Sequence, residues 1–264
     1  MIDVHCHLNF HSYTSDFDNV IKEALGNGVT EIINVGTQID SSQQAIELAA
    51  KYDQLYAIVG IHPHHADKVE KGWEDRLKEL GKHDKVLGIG EIGLDYYAYK
   101  SNGIVDKNLQ KVLFEKQIHI AHTLNLPIQI HNRHAGEDVI AILKKHRSLL
   151  KRIPGMFHCF ASSKEVLFDA LNLGFYIGFD GNSTYKGLAP GETVTLNELI
   201  ELTPIERILT ETDSPFLTPE PYRGSRNKPS YVILVGEHIA KVKKIPLEDV
   251  NRITTENVRM IFHI

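Results

Sequence analysis

Eight short β-branched runs alternate with stretches of helical period along the whole chain, and each run ends in, or leads into, a polar or titratable residue. The first strand spans about Ile2–His7 and the second Glu31–Val35. The third, Tyr56–Ile61, leads into His62-Pro63-His64-His65, and the fourth, Val86–Gly90, ends at Glu91. Pro127–Ile130 ends at His131, and Gly155–Phe157 ends at His158. Phe175–Phe179 runs into the loop Asp180–Gly191, and Arg207–Thr210 ends in Glu211-Thr212-Asp213. Between them the pattern predicts helices near Asp16–Asn27, Ser41–Tyr52 (with Asp40 as cap), before Gly81, over Asp106–Leu124 and Glu137–His146, after a Ser163 cap, and over Thr195–Leu202. Two more, near Ser230–Val242 and Pro246–Phe262, close the chain. Length alone admits one large barrel or two ordinary domains. Eight βα units without linker, repeat or low-complexity segment predict one domain over residues 1–264, a single (β/α)8 TIM barrel of the α/β class. A doubly wound open sheet is the alternative, but the Gly-rich first turn usual there is absent.

In such a barrel the strand ends converge on one pocket, so residues about 200 positions apart in sequence can share it. Eight of the fifteen histidines (5, 7, 62, 64, 65, 131, 134 and 158) fall at or just beyond a strand end. Side chains flip face at every strand residue, so His5 and His7 point the same way, ~7 Å apart along the strand, and can pinch one cation. Cys6 then faces the opposite side. An H-x-H triplet alone is weak evidence, since buried, hydrogen-bonded histidines are commoner than ligands. Here His5, His7, Glu91, His131, His158 and Asp213 come from strands 1, 4, 5, 6 and 8. Four imidazoles and two carboxylates suit a pair of divalent ions ~3.5–4 Å apart, with Glu91 as the carboxylate best placed to bridge them.

The net charge of −5 leaves no global basic field to attract nucleic acid, so any such contact must come from a local patch. Two cysteines, Cys6 and Cys159, make no disulfide framework and suit a reducing compartment. No basic leader precedes the first strand, and no apolar run approaches the ~18 residues of a membrane span. A cytoplasmic location, no membrane contact, no obligate protein partner and a monomer are the expectations.

Several motifs together resemble the TatD family of metal-dependent deoxyribonucleases, within the amidohydrolase superfamily. They are Asp3-Val-His-Cys-His-Leu8, Gly60-Ile-His-Pro-His64, Gly88-Ile-Gly-Glu-Ile-Gly-Leu-Asp-Tyr96, His158-Cys-Phe160, Glu211-Thr-Asp-Ser-Pro-Phe-Leu-Thr-Pro219 and the segment Pro221–Tyr231. The resemblance covers essentially the whole chain. It implies a barrel hydrolase that cleaves DNA phosphodiester bonds, with His5, His7 and Asp213 on the first metal, His131 and His158 on the second, and Glu91 bridging. Three places depart from the family pattern: His134 where Asp is usual, Ala161-Ser162 for Ser-Gly, and Asn182-Ser183-Thr184 for an apolar wording. None touches a proposed ligand.

Asp213 is a candidate base as well as a ligand, and Glu91 the other candidate catalytic carboxylate. Substrate-side candidates are His62 and His64 as donors, Arg133 beside His131, Tyr185 and Lys186 after strand 7, and Tyr222, Arg223, Arg226 and Lys228 after strand 8. Basic groups would hold the backbone, and rings would stack bases at ~1–3 kcal/mol each. An ordinary solvated loop is the equal reading of Arg223–Lys228. His119, His122, His146, His238 and His263 lie on helices and are read as structural, Glu211 as a supporting partner of the site, and Cys159, like Cys6, as a small buried group facing away, with a thiolate ligand as the second choice. The expected reaction is two-metal hydrolysis of single-stranded or frayed 3′ ends of DNA, with Mg²⁺, Mn²⁺, Zn²⁺ or Fe²⁺ as cofactor. Another ester or amide bond is the alternative: D-aminoacyl-tRNA deacylation, or amidohydrolase- or lactonase-like chemistry. Relatives with such substrates often bridge their metals with a carboxylated lysine where this chain has Glu91, which disfavours that alternative. A metal-binding scaffold without catalysis is the third reading.

Overall fold

The computed structural model describes residues 1–100 and 103–264. Eight strands form one sheet in sequential order, every neighbouring pair parallel. They are β1 (Ile2–Cys6), β2 (Glu31–Val35), β3 (Leu55–Val59), β4 (Val86–Asp95), β5 (Ile128–Arg133), β6 (Gly155–Phe157), β7 (Tyr176–Phe179) and β8 (Ile208–Thr210). The sheet closes where β1 meets the segment after β8: Asp213 N–H donates to His5 O at 2.9 Å, and His7 N–H to Ser214 O at 2.8 Å. The expected (β/α)8 barrel is therefore present.

Helices α1 (Phe17–Gly26), α2 (Ile39–Ala49), α3 (Trp73–Leu80), α4 (Lys107–Leu124), α5 (Gly136–Lys145), α6 (Lys164–Asn172) and α7 (Leu196–Leu202) follow the first seven strands. After β8 come α8 (Val232–Lys243) and α9 (Leu247–Phe262). Among the described residues no helix is long and apolar enough to cross a membrane. Local chemistry sets the starts. Asp106 accepts from the N–H groups of Asn108 and Leu109, Ser163 from Val166, and Thr195 from Glu198. The Asp40 cap is a correction, because α2 begins one residue before it. There the Ser41 hydroxyl accepts from the N–H groups of Thr37 and Gln38 at 2.8 and 2.9 Å.

Two apolar layers divide the core. Ile2, Val4, Ile33, Ile58, Met156 and Leu209 fill the barrel interior, and Val258, Ile261 and Phe262 of α9 plug its N-terminal end. The larger layer lies between strands and helices. That plug leaves the opposite, C-terminal mouth as the open end, where loops carry function.

Two strands depart from even alternation where it matters. In β1, four residues (Asp3 to Cys6) run against three of β2 (Ile32 to Asn34). In β4, Ile89 to Ile92 run against Ile128 to Ile130. Each is a bulge, which re-aims side chains at a barrel rim. Val4 belongs to the interior cluster, yet His5 also reaches across the barrel to Gln129. The second bulge brackets Glu91. Strand β4 also runs five residues past its expected end, and Gly93 within it has φ +143 and lies so close to β5 that an added Cβ would meet His131 O at 2.0 Å. Only glycine allows that approach.

Candidate metal centre

Six side chains meet at the open mouth. His5 Nε2 lies 3.1 Å from His7 Nε2 and 3.6 Å from Asp213 Oδ1, and His7 Nε2 lies 3.4 Å from the same oxygen. Two atoms each about 2.1 Å from one tetrahedral cation stand about 3.4 Å apart, so this trio has the spacing of a ligand set. On the other side, His131 Nδ1 and His158 Nε2 each lie 2.6 Å from Glu91 Oε1 and 3.2 Å from one another. Glu91 joins the halves. Its Oε1 faces His131 and His158, while its Oε2 is 3.8 Å from both His5 Nε2 and His7 Nε2. One carboxylate thus offers one oxygen to each trio, and the donor set fits a pair of divalent cations.

Three of the four remaining ring nitrogens are held by neighbours, which fixes orientation as it does around metal sites, while the buried His158 Nδ1 has no partner among the described residues. His5 Nδ1 is 2.8 Å from Gln129 Oε1, and His7 Nδ1 is 2.9 Å from Val35 O. His131 Nε2 is 3.1 Å from Asp95 Oδ2. Two buried glutamines of α4 set the loops above: Gln110 bonds both N–H and C=O of Asp95, and Gln117 those of Ile61, each at 2.8 to 2.9 Å.

Burial and charge compete strongly here. Burial pushes His5 well below its ordinary pKa, helped by His158, and burial does the same to His62. Burial would lower His131 too, but the Glu91 and Asp95 carboxylates outweigh it and raise the ring to about 10. Burial opposes ionisation of Glu91, yet His158, His62 and His131 hold its carboxyl well below the usual range. Asp95 stays ionised in the same way, against burial, through His131 and His64. Glu91 and Asp95 thus stay ionised among the imidazoles.

Around the six, His62 Nε2 lies 3.5 Å from Glu91 Oε1, and His64 Nε2 3.2 Å from Asp95 Oδ2. Arg133 sits over the Tyr97 ring at 4.1 Å and donates to the Tyr99 hydroxyl at 2.8 Å, and that hydroxyl donates to Asp95 Oδ2 at 3.0 Å. Tyr185 donates to Thr218 O at 2.8 Å, with Arg223 stacked on its ring at 3.9 Å, and Lys186 is exposed. Arg226 stands apart. Its guanidinium is engaged by Asp16 at 2.6 Å and covers the Tyr13 ring, so the structure makes it a latch between the last loop and α1.

Cys6 faces outward, its thiol 3.5 Å from Ile33 O. Cys159 does not follow the expectation. It follows the last residue of β6 by two, with φ +45, so strand alternation has lapsed, and its thiol groups with Asp180 and Asp213. Its N–H donates to the buried Glu211 carboxylate, which lies near His5 and His158.

Sequence reading missed Asp95, Gln129, Gln110, Gln117 and Asn227. Asp95 had a signal: Glu91, Gly93 and Asp95 alternate on one face, and the glycines of Gly88-Ile-Gly90 cut the strand short on paper. The amides had none, because an isolated Gln or Asn in a helix or strand looks like any polar residue.

A family model described as TatD related DNase matches residues 2–263. The uncharacterized metal-dependent hydrolase YabD of Bacillus subtilis (strain 168) is 41% identical over 266 residues, covering 100% of this chain and 99% of its own. A protein of Escherichia fergusonii named 3′-5′ ssDNA/RNA exonuclease TatD is 31% identical over 272 residues, covering 100% and 99%. Among solved structures, the TatD homologue YJJV from Escherichia coli K12 superposes with a TM-score of 0.90 at 26% identity, covering 100% of this chain and 98% of that one.

Proposed function

The chain belongs to the TatD-related DNase family of metal-dependent hydrolases, and from that premise we propose that it is a deoxyribonuclease that shortens single-stranded or frayed DNA from the 3′ end. The observation that carries this reading is the split of Glu91, whose two oxygens face two separate histidine groups. A two-cation centre is the arrangement suited to displacement at a phosphodiester, and the Escherichia fergusonii relative is named for that activity on single strands.

His5, His7 and Asp213 would hold one divalent cation and His131 and His158 the other, with Glu91 between. When bound, the pair would acidify an attacking water and neutralise the phosphoryl oxygens. The chain's own groups do the rest. Asp213, the most solvent-accessible carboxylate of the six, accepts the proton of that water. Arg133, backed by Tyr97 and Tyr99, meets the phosphate backbone, and Lys186 of the loop after strand 7 and Arg223 of the loop after strand 8, stacked on Tyr185, extend that contact. Phe10 and the half-exposed Phe216 border His7, with ring centroids 6.0 Å apart, and give a base a surface to stack on.

The test is stepwise digestion of a 3′-labelled single-stranded oligonucleotide by protein stripped of metal and supplied with Mg²⁺, Mn²⁺ or Zn²⁺. Shortening that requires metal and vanishes in His131→Ala and Asp213→Ala supports the reading. An intact oligonucleotide with two ions bound per chain removes it and turns the search to esters and amides, D-aminoacyl-tRNA among them.

A further inference from the structure

His62 opens the short turn Pro63–His65 above β3, and its Nδ1 accepts the backbone N–H of His64 at 3.1 Å. A backbone N–H can only donate. Nδ1 therefore carries no proton, and the neutral ring keeps its single proton on Nε2. That Nε2–H is 3.5 Å from Glu91 Oε1, at the outer limit of a hydrogen bond, and the ring stands edge-on to His131 at 4.3 Å. Among the described residues it has no partner at ordinary length. The residue is 9% exposed, and Gln117 pins the preceding Ile61 through both its backbone groups. The donor is preorganised and unused.

Proximity alone suggests another role, because His62, Asp95 and His131 each bring one ligand atom within 4.8 Å of the others. The tautomer argues against it. A metal ligand must present an unprotonated nitrogen, and His62 has committed one nitrogen to the backbone and the other to its proton.

We infer that His62 is a fixed, neutral hydrogen-bond donor to a non-bridging phosphoryl oxygen of the substrate, and a ligand to neither cation. This rests on the phosphodiesterase reading above. The donor faces Glu91 Oε1, the oxygen shared with His131 and His158, so it points where charge gathers on the phosphoryl group as water attacks. It lends a hydrogen bond and transfers no proton.

Four measurements test this. In protein labelled with ¹⁵N-histidine, long-range ¹⁵N–¹H correlation reads the tautomer directly, and His62 should carry its proton on Nε2 both before and after metal loading. An unprotonated Nε2 in either state overturns the proposal. His62→Ala and His62→Gln should both keep the wild-type metal content, since the Gln amide places an N–H near the position of Nε2. His62→Ala should lower kcat on bis(p-nitrophenyl) phosphate about 100-fold with little change in KM, and Gln should recover most of it. Affinity of the loaded protein for inorganic phosphate should fall in Ala and return in Gln. Metal lost from the Ala variant would make His62 a ligand. Gln no better than Ala, with an altered basic limb of the pH profile, would make it a proton donor. Unchanged phosphate affinity in Ala would leave the donor without a target. Each of these overturns the inference. A wild type that cleaves no phosphodiester would remove the substrate reading, while tautomer, metal content and phosphate affinity would still judge His62.

Discussion

Asp95 Oδ2 lies 3.1 Å from Nε2 of His131, the ring nitrogen opposite the one that meets Glu91. The carboxylate fixes which nitrogen faces the centre and makes that nitrogen a better donor. Asp95→Ala should therefore weaken binding of the cation held by His131 and His158 about 10- to 100-fold, leaving the one at His5 and His7 near normal. Titration calorimetry with Zn²⁺ should resolve two affinities in the wild type and show only one of them moved. Equal loss at both sites would count against this division of ligands.

Metal uptake should release protons. In the metal-free protein His131 is raised to about 10, so at pH 8 its ring is protonated, and a cation must displace that proton. The apparent affinity of this site should rise with pH and level off near pH 10. Loading stripped protein with Zn²⁺ in weak buffer at pH 8 should release close to one proton per chain from His131, and much less at pH 10.5.

Asn227 clasps the turn that carries Asp213, whose own φ is +51. Its side-chain amide donates to Thr212 O at 2.8 Å and to Phe216 O at 2.6 Å, one carbonyl on each side of Asp213. Asn227→Ala leaves a buried and a part-buried carbonyl unpaired, which should cost about 2 kcal/mol of stability, read by urea denaturation. Because Asp213 also loses its support, kcat should fall about 10- to 100-fold. A stable variant of full activity would show that the turn holds itself.

Phe216 is 50% exposed and begins three residues past Asp213. Phe216→Ala should raise KM for an oligonucleotide by the ~1–3 kcal/mol of a lost stacking contact. Turnover of bis(p-nitrophenyl) phosphate should change far less. Comparison of the two substrates separates a stacking surface from a support of the metal centre.

Helix and strand order was written in local patterning, because alternation at period two and at 3.6 is a property of neighbouring residues. The same patterning put His5, His7, Glu91, His131, His158 and Asp213 at strand ends, and closure of a barrel brings strand ends together. Exceptions to local rules needed coordinates. The bulges of β1 and β4 depend on register against a neighbouring strand, so no reading of one strand alone could locate them. Cys159 turned inward only because its φ is +45 at the strand's end, and Arg226 became a latch because Asp16, 210 residues earlier, lies within reach. Asp95 joined the centre once pairing with β5 carried β4 past its glycines. The sequence by itself determined the architecture and which residue types gather at the strand ends, since both follow from residue type and spacing. Only the tertiary structure decided which nitrogen of each imidazole faces the centre and which oxygen of Glu91 serves which trio, because those choices are made by hydrogen bonds between residues far apart in the chain.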